Sequence, residues 1–221
     1  MGNTLLKVGE IGGAIDQYRQ AVKYDSRYAE AHSNWGSALE ARGEVEEAIE
    51  HYRRAVEINP RYAAAHYNWG NPLLRKGDLG GAIERYRRAI AIDPRYVEAL
   101  TNLGSALDAH GEEEAAVEQY RKALEIDPRS ASAHYNLGLL LVRRGDAKGG
   151  MEHLLQVVQL NPADAEAHYH LGRFLTLVGQ VDGAVGEFKE ALKIRPGYAV
   201  ARESLNQLLA QPRKSDADTQ P

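Results

Sequence analysis

Residues 29–62 read AEAHSNWGSALEARGEVEEAIEHYRRAVEINPRY, and residues 63–96 read AAAHYNWGNPLLRKGDLGGAIERYRRAIAIDPRY. Each segment is 34 residues long, and their glycines, alanines and prolines fall in the same register. Three series continue this register along the chain: Pro60, Pro94, Pro128, Pro162 and Pro196; Gly36, Gly70, Gly104, Gly138 and Gly172; and Gly43, Gly77, Gly111, Gly145 and Gly179. A fixed period of this length is typical of a repeat architecture.

The period divides the chain into five full units and three flanking segments. The units are 29–62, 63–96, 97–130, 131–164 and 165–198. Residues 1–28 form a partial N-terminal unit. Residues 199–210 carry one apolar stripe opposite polar residues, which predicts a C-terminal capping helix. Residues 211–221 lack apolar periodicity, which predicts a disordered tail.

Each unit is predicted to form two helices. In the unit 29–62, apolar residues recur at helical spacing from Ala31 to Leu39. Gly43 should end this first helix, because glycine accepts the left-handed conformation of a helix C-terminus. A second apolar stripe follows, and Pro60 should end it because proline has no N–H donor. Two helices cannot bury both stripes by themselves, so the units must stack on one another.

The glycine within each first helix needs a separate explanation. A glycine such as Gly36 costs a helix about 1 kcal/mol relative to alanine, so its recurrence predicts a close approach between helices. We expect the neighbour to be the small residue that opens the second helix. These residues are Ala48, Ala82, Ala116, Gly150 and Ala184.

These residues resemble the tetratricopeptide repeat family. The glycine, alanine, aromatic, alanine and proline positions of that family are filled in register, as in Gly70, Ala82, Tyr86, Ala89 and Pro94. The resemblance implies an all-α solenoid, a right-handed superhelix of antiparallel helix pairs whose first helices line a concave groove. It also implies that the chain binds peptides or proteins there and is not itself catalytic. The position that usually holds tryptophan departs from the pattern, with His32, His66, Leu100, His134 and His168.

Asparagine recurs at one position of the first helix, in Asn34, Asn68, Asn102 and Asn136. In the family this position faces the groove. A row of primary amides can hold a peptide backbone, because each amide both donates and accepts hydrogen bonds. The alternative is that these side chains only make local hydrogen bonds.

Aromatic and basic residues accompany the asparagines. Tyr67, Tyr135 and Tyr169 each precede that position by one residue, His170 occupies it in the fifth unit, and Arg173 follows one turn later. We expect these five residues to contact side chains of a bound peptide. The family also has a carboxylate clamp that requires lysine and arginine in the groove. Only Arg173 is expected there, so binding of the acidic tails of heat-shock chaperones is not predicted.

Two further features have a structural and a functional interpretation. Pro72 lies within a predicted first helix, where it should kink the helix and free the carbonyl of Asn68, or end the helix at Asn71. The histidines that occupy the family's tryptophan position provide one imidazole per unit. That arrangement favours packing rather than a metal site, so we predict no bound metal.

The composition excludes several classes of protein. The chain has 221 residues, no cysteine and a net charge of −4, so it has neither a disulfide framework nor the basic field that favours nucleic acid. It contains no apolar run long enough to span a membrane, and no catalytic or phosphate-binding motif. We therefore expect a cytoplasmic protein without a cofactor and without membrane insertion.

Three functions are compatible with the sequence. The leading one is a non-catalytic interaction scaffold, or adaptor, that binds an extended peptide or a partner helix in its groove. By register, Gly2 takes the place of Gly36, so either the chain is a fragment of a longer array or its uncapped N-terminal edge leads to self-association. In the third, the asparagine row resembles the substrate-holding arm of protein O-linked N-acetylglucosamine transferases, which would make the chain part of a larger enzyme.

Overall fold

The computed structural model describes residues 2–210, and the elements in that range are all helices. The helices are α1 (Gly2–Lys7), α2 (Ile11–Tyr24), α3 (Ala29–Arg42), α4 (Val45–Ile58), α5 (Ala63–Arg75), α6 (Leu79–Ile92), α7 (Val97–Ala109), α8 (Glu113–Ile126), α9 (Ala131–Arg143), α10 (Ala147–Leu160), α11 (Ala165–Leu177), α12 (Val181–Ile194) and α13 (Ala199–Ala210). The predicted tail, 211–221, lies outside the described residues. Within the described part, no helix has both the length and the apolar character needed to cross a bilayer.

The helices pack as consecutive hairpins in two compact units. The N-terminal unit, Met1–Pro128, contains α1 to α8, and the C-terminal unit, Arg129–Pro221, contains α9 to α13. Within each predicted repeat the two helices pack on each other, and the second helix also packs on the next first helix of the same unit. The all-α class and the tandem helix pairs are thus confirmed, while the right-handed superhelical winding stays a prediction.

Several first helices of one unit contact each other directly. In the N-terminal unit α3 contacts α5 and α5 contacts α7, and in the C-terminal unit α11 contacts α13. We call the surface formed by α3, α5 and α7 the first-helix face of the N-terminal unit. The surface formed by α9, α11 and α13 is the first-helix face of the C-terminal unit.

Glycine ends the first helices as expected. Gly43 follows α3 with φ of 90°, a left-handed conformation that costs little only without a Cβ atom. Its amide donates to the carbonyl of Glu40, which satisfies a carbonyl at the end of the helix. The same conformation recurs at the other glycines that separate first from second helices in the described units.

The glycine within each first helix lies against a large side chain of the second helix, and at two positions also against the small residue that was predicted. A Cβ built on Gly70 would lie 2.6 Å from Cε1 of Tyr86, and one on Gly36 would lie 2.7 Å from Cε1 of Tyr52. In the N-terminal unit the glycine therefore makes room for a tyrosine ring, one turn beyond the small residue that we expected. The predicted small-residue neighbour is confirmed at Gly36, where a Cβ would lie 3.0 Å from the carbonyl oxygen of Ala48, and at Gly138, where it would lie 3.2 Å from that of Gly150.

The proline within α5 does not end the helix. α5 continues through Pro72 to Arg75, and Pro72 is buried, so the expectation of an early end at Asn71 is wrong. Pro72 has no N–H, so the carbonyl of Asn68 lacks its usual helical donor. The turn after Pro72 remains regular, because the amide of Lys76 donates to the carbonyl of Pro72.

The two terminal helices are held by packing. α1 is only 6 residues long, too short to persist alone in water, but Leu5 and Leu6 pack against the core formed by α2, α3 and α4. α13 buries Ala201 and Leu208, whereas Leu209 is 54% exposed. The predicted self-association through the N-terminal edge stays a prediction.

The close contact at Gly70 predicts that Gly70→Ala destabilises the protein although alanine is the better helix former. Displacing the Tyr86 ring should lower the free energy of unfolding by about 2 kcal/mol, measured by urea denaturation. Gly80→Ala is the matched control, since a Cβ there meets nothing within 4 Å. It should leave stability unchanged or raise it by up to about 1 kcal/mol. Equal changes in the free energy of unfolding for Gly70→Ala and Gly80→Ala would contradict this prediction.

Candidate functional site

The predicted asparagines lie on the first-helix faces, and all four are half-buried. Asn34, Asn68 and Asn102 belong to α3, α5 and α7, and Asn136 belongs to α9 in the other unit. The side chain of Asn34 makes no hydrogen bond to any described residue, and it lines a recess of about 250 Å³. Asn34 therefore keeps both its donor and its acceptor for a ligand.

The amides of Asn68 and Asn102 are partly used within the fold. Nδ2 of Asn68 donates to Oγ of Ser33 over 3.3 Å. Nδ2 of Asn102 donates both to the hydroxyl of Tyr67, over 3.3 Å, and to Oδ1 of Asn71, over 3.0 Å. Since a primary amide carries two N–H groups, Asn68 keeps one donor while Asn102 keeps only its Oδ1 acceptor. The alternative of local hydrogen bonds is therefore realised at these two positions.

Tyrosine hydroxyls from the second helices reach the first-helix face of the N-terminal unit. Each lies within hydrogen-bond distance of a polar side chain fifteen residues earlier. The pairs are Tyr52 with Oγ of Ser37 at 3.2 Å, Tyr86 with Oδ1 of Asn71 at 2.9 Å, Tyr120 with Oγ of Ser105 at 3.2 Å, and Tyr18 with Oδ1 of Asn3. Burial raises the pKa of Tyr52 to about 12. The polar residues at this position thus satisfy buried phenols as well as lining the face.

Tyr67 is held mainly by packing. Its ring lies 4.9 Å from that of Tyr96 and 6.0 Å from that of Tyr86, measured between centroids. Burial raises the pKa of its hydroxyl, which accepts the hydrogen bond from Asn102. A ligand would therefore meet only part of this side chain.

An acidic and a basic residue that we did not predict also line the face. An open recess of about 460 Å³ is bordered by Asn68, Asn71, Glu40 and Arg75. The guanidinium of Arg75 forms an ion pair with Glu40, which also accepts a hydrogen bond of 2.8 Å from the hydroxyl of Tyr52. Glu40 and Arg75 lie one turn further along their helices than the positions we considered. The expectation that Arg173 is the only cation in the groove is therefore wrong.

Four predicted contact residues lie together in the C-terminal unit. The rings of Tyr135 and Tyr169 meet that of His170 edge-on at 5.4 and 5.1 Å. The guanidinium carbon of Arg173 lies 5.8 Å from the centroid of the Tyr169 ring. Burial, and then the charge of Arg173, lower the pKa of His170, which is therefore neutral near pH 7. The positive charge at this position belongs to Arg173.

A recess of about 600 Å³ opens on the first-helix face of the C-terminal unit. Apolar side chains form most of its wall. The lining residues are Leu139, Val142, Arg143, Leu154, His170, Arg173, Phe174, Thr176, Leu177, Phe188, Ser204, Gln207 and Leu208. The two units therefore present chemically different faces.

The histidines at the family's tryptophan position are buried, and three of the four are paired with residues nineteen positions later. The pairs are Nδ1 of His32 with Nδ1 of His51 at 3.0 Å, Nδ1 of His134 with Nδ1 of His153 at 2.8 Å, and Nδ1 of His168 with Oε2 of Glu187 at 2.6 Å. We missed these partners because we considered only the first helices. Among the described residues, no three acidic or histidine side chains are grouped so as to hold a metal ion.

The unit 63–96 departs from this pairing. Its residue nineteen positions after His66 is Arg85, whose guanidinium carbon lies 4.2 Å from the centroid of the Trp69 ring. Nε2 of His66 bonds the carbonyl of Pro60 at 3.1 Å, while its Nδ1 has no hydrogen-bond partner among the described residues. The histidine at this position thus contacts a second histidine, a glutamate or, in the unit 63–96, only a backbone carbonyl. The helix pair is the same in each case.

The burial of His51 predicts a loss of stability in mild acid. Burial, and then repulsion from His32, lower its pKa to about 4, against 6.5 when unfolded. The unfolded chain therefore binds a proton first, and the free energy of unfolding should fall as the pH drops from 6.5 towards 4. His51→Gln cannot titrate, so its free energy of unfolding in urea should decline less between pH 7 and pH 5. Parallel wild-type and variant curves would contradict this prediction.

Two models of repeat families match successive stretches of this chain. A model described as TPR repeat matches residues 2–43, 36–77, 70–111 and 109–145. A second model, described as tetratricopeptide repeat, matches residues 135–199. Together the matches extend across almost the whole described chain. No curated protein sequence matches the chain.

Solved structures share the fold at low sequence identity. Pseudomonas aeruginosa PilF is 21% identical with a TM-score of 0.83, over 93% of this chain and 94% of its own. The Cut9–Hcn1 hetero-tetramer of the APC/C matches at 20% identity and a TM-score of 0.82, over 94% of this chain but 41% of its own. YrrB, described as a TPR protein with an unusual peptide-binding site, matches at 21% identity and a TM-score of 0.66, over 86% and 97% of the two chains.

Proposed function

Because this chain belongs to the tetratricopeptide repeat family, whose members are protein-interaction scaffolds, we propose that it binds an extended peptide on its first-helix faces. The observation that carries the proposal is the amide of Asn34. It is half-buried beside an open recess, and no described residue uses its donor or its acceptor. A peptide backbone supplies the complementary acceptor and donor.

The capacity to hold a backbone decreases along the N-terminal unit. Asn34 offers a complete amide, Asn68 offers one N–H and its oxygen, and Asn102 offers only its oxygen. Asn34 is therefore the strongest point of attachment. Asn68 and Asn102 add acceptors that can receive peptide N–H groups. Tyr67, together with the ion pair of Glu40 and Arg75, would select among neighbouring side chains.

The description of one structural relative is consistent with a peptide ligand. YrrB is described as having an unusual peptide-binding site, although its likeness to this chain is one of fold. In this chain the recesses of about 250 and 460 Å³ lie along the asparagines of the N-terminal unit. An extended chain exposes its backbone groups at regular intervals, so recesses beside half-buried amides suit it.

The test uses peptides selected from a random phage-displayed library against the full-length protein. Amide chemical shifts, recorded by NMR during titration with a selected peptide, should change along α3, α5 and α7, or along α9, α11 and α13. Changes confined to α4, α6 and α8, or to α10 and α12, would overturn the proposal. The whole 221-residue chain serves throughout, so no shorter part of it has to fold alone.

Two alanine variants separate binding from stability. Asn34→Ala should weaken a peptide mapped to the N-terminal unit roughly tenfold and leave the urea midpoint unchanged, because two hydrogen bonds to ligand and none within the fold are lost. Asn102→Ala should instead lower the free energy of unfolding by about 1 kcal/mol, because its internal bonds disappear. Arg87→Ala, an exposed residue of α6, is the control. Equal peptide affinities for Asn34→Ala and the control would remove the role of Asn34.

A further inference from the structure

The apolar recess of the C-terminal unit has a lining that specifies its ligand. We infer that it binds an extended peptide segment whose apolar side chains enter the recess while an aspartate or glutamate side chain within the segment pairs with Arg173. This inference rests on the proposed function, since it names the ligand chemistry of one part of the same faces. It is independent of the role proposed for Asn34, which lies in the other unit.

The size and the lining of the recess suit an apolar ligand. Its volume of about 600 Å³ falls within the range of about 300–1,000 Å³ that is typical of ligand pockets. Leu139, Val142, Phe174 and Leu208 contribute to its wall. At its edge Leu177 leaves 76% of its surface exposed, an apolar side chain that the described fold does not cover. Burying such surface removes apolar area from water and so favours binding.

The recess lies where this unit has Leu154 and Phe188 in place of the tyrosines of the other unit. In the N-terminal unit a buried phenol requires a polar residue fifteen positions earlier, as Tyr86 requires Asn71. The corresponding ring position holds Leu154 in one C-terminal repeat and Phe188 in the next, and neither needs a hydrogen-bond partner. The paired positions on the face are thereby released to hold Leu139 and Arg173.

Among the described residues that line the recess, Arg143 and Arg173 carry charge, and none has a carboxylate. Arg173 is exposed and forms no salt bridge with any described residue. Its contact is the face of the Tyr169 ring. An arginine held at the edge of an apolar recess without an anion is complementary to a carboxylate, and such charge-assisted hydrogen bonds are among the strongest in binding sites.

The remaining polar groups fit a peptide rather than a purely hydrocarbon ligand. Ser204 and Gln207 of α13 line the same recess, and both side chains can hydrogen-bond a peptide backbone. Cations also border the recess on two helices, Arg143 on α9 and Arg173 on α11, with apolar side chains from the same helices. We therefore place the carboxylate within the segment, with apolar residues on each side of it.

The probes are fluorescein-labelled nonapeptides in which leucine or phenylalanine occupies four positions around a central aspartate. One matched copy carries asparagine at the centre, and another carries serine at the four apolar positions. Fluorescence polarisation with the full-length protein measures each Kd. The aspartate peptide should bind most tightly, the asparagine copy roughly tenfold more weakly, and the serine copy not detectably at the same concentrations.

Two exposed residues provide variants that should fold normally. Arg173→Gln should abolish the preference for aspartate over asparagine, whereas Lys189→Gln, the same change at an exposed position of α12, should retain it. Leu177→Ser should weaken both apolar peptides equally. Circular dichroism and urea denaturation confirm that each variant is folded.

Each remaining outcome overturns the inference. Equal affinities of the aspartate and asparagine peptides for the wild type would exclude the carboxylate pairing. A preference that survives Arg173→Gln, or affinities unaffected by Leu177→Ser, would place the peptides elsewhere. If the nonapeptides fail while library peptides still shift α3, α5 and α7, the inference fails and the proposed function stands. If library peptides shift only the second helices, the proposed function fails as well.

Discussion

The contact between a first-helix glycine and the large side chain that lies over it in the second helix underlies the whole structure. A Cβ at Gly36, Gly70 or Gly104 would lie no more than 2.7 Å from a tyrosine ring carbon, so each hairpin closes only where glycine is present. Because the two helices approach closely at the glycine, each tyrosine ring extends across the hairpin and its hydroxyl reaches the first-helix face. There the hydroxyl needs a hydrogen-bond partner, since an unsatisfied buried phenol costs about 1–3 kcal/mol.

This constraint couples the interior of a hairpin to the chemistry of its surface. Where the interior ring is tyrosine, the face carries serine or asparagine, as with Tyr52 and Ser37. Where the interior side chain is Leu154 or Phe188, the face is free to carry an apolar or charged residue, and the C-terminal unit has its apolar recess there. A change in the core of one repeat thus alters what its surface can bind without altering the helix pair.

The sequence predicted the helix pairs and the glycine ends of the first helices, because these follow from period and backbone chemistry alone. It also placed His170 and Arg173 on one face. The sequence could not show that both N–H groups of Asn102 donate hydrogen bonds within the fold, because that depends on distances to Tyr67 and Asn71. The partner of His32 was missed because residues on both helices of a pair have to be considered together.

The coupling between interior and face can be measured most directly with a double-mutant cycle on Tyr86 and Asn71, whose side chains are joined by a hydrogen bond of 2.9 Å. Free energies of unfolding in urea are compared for the wild type, Tyr86→Phe, Asn71→Ala and the double variant. The account predicts a coupling energy of about 1 kcal/mol, because each single change breaks the same bond. Strictly additive effects would show that the face residue does not serve the buried ring, and would contradict the account.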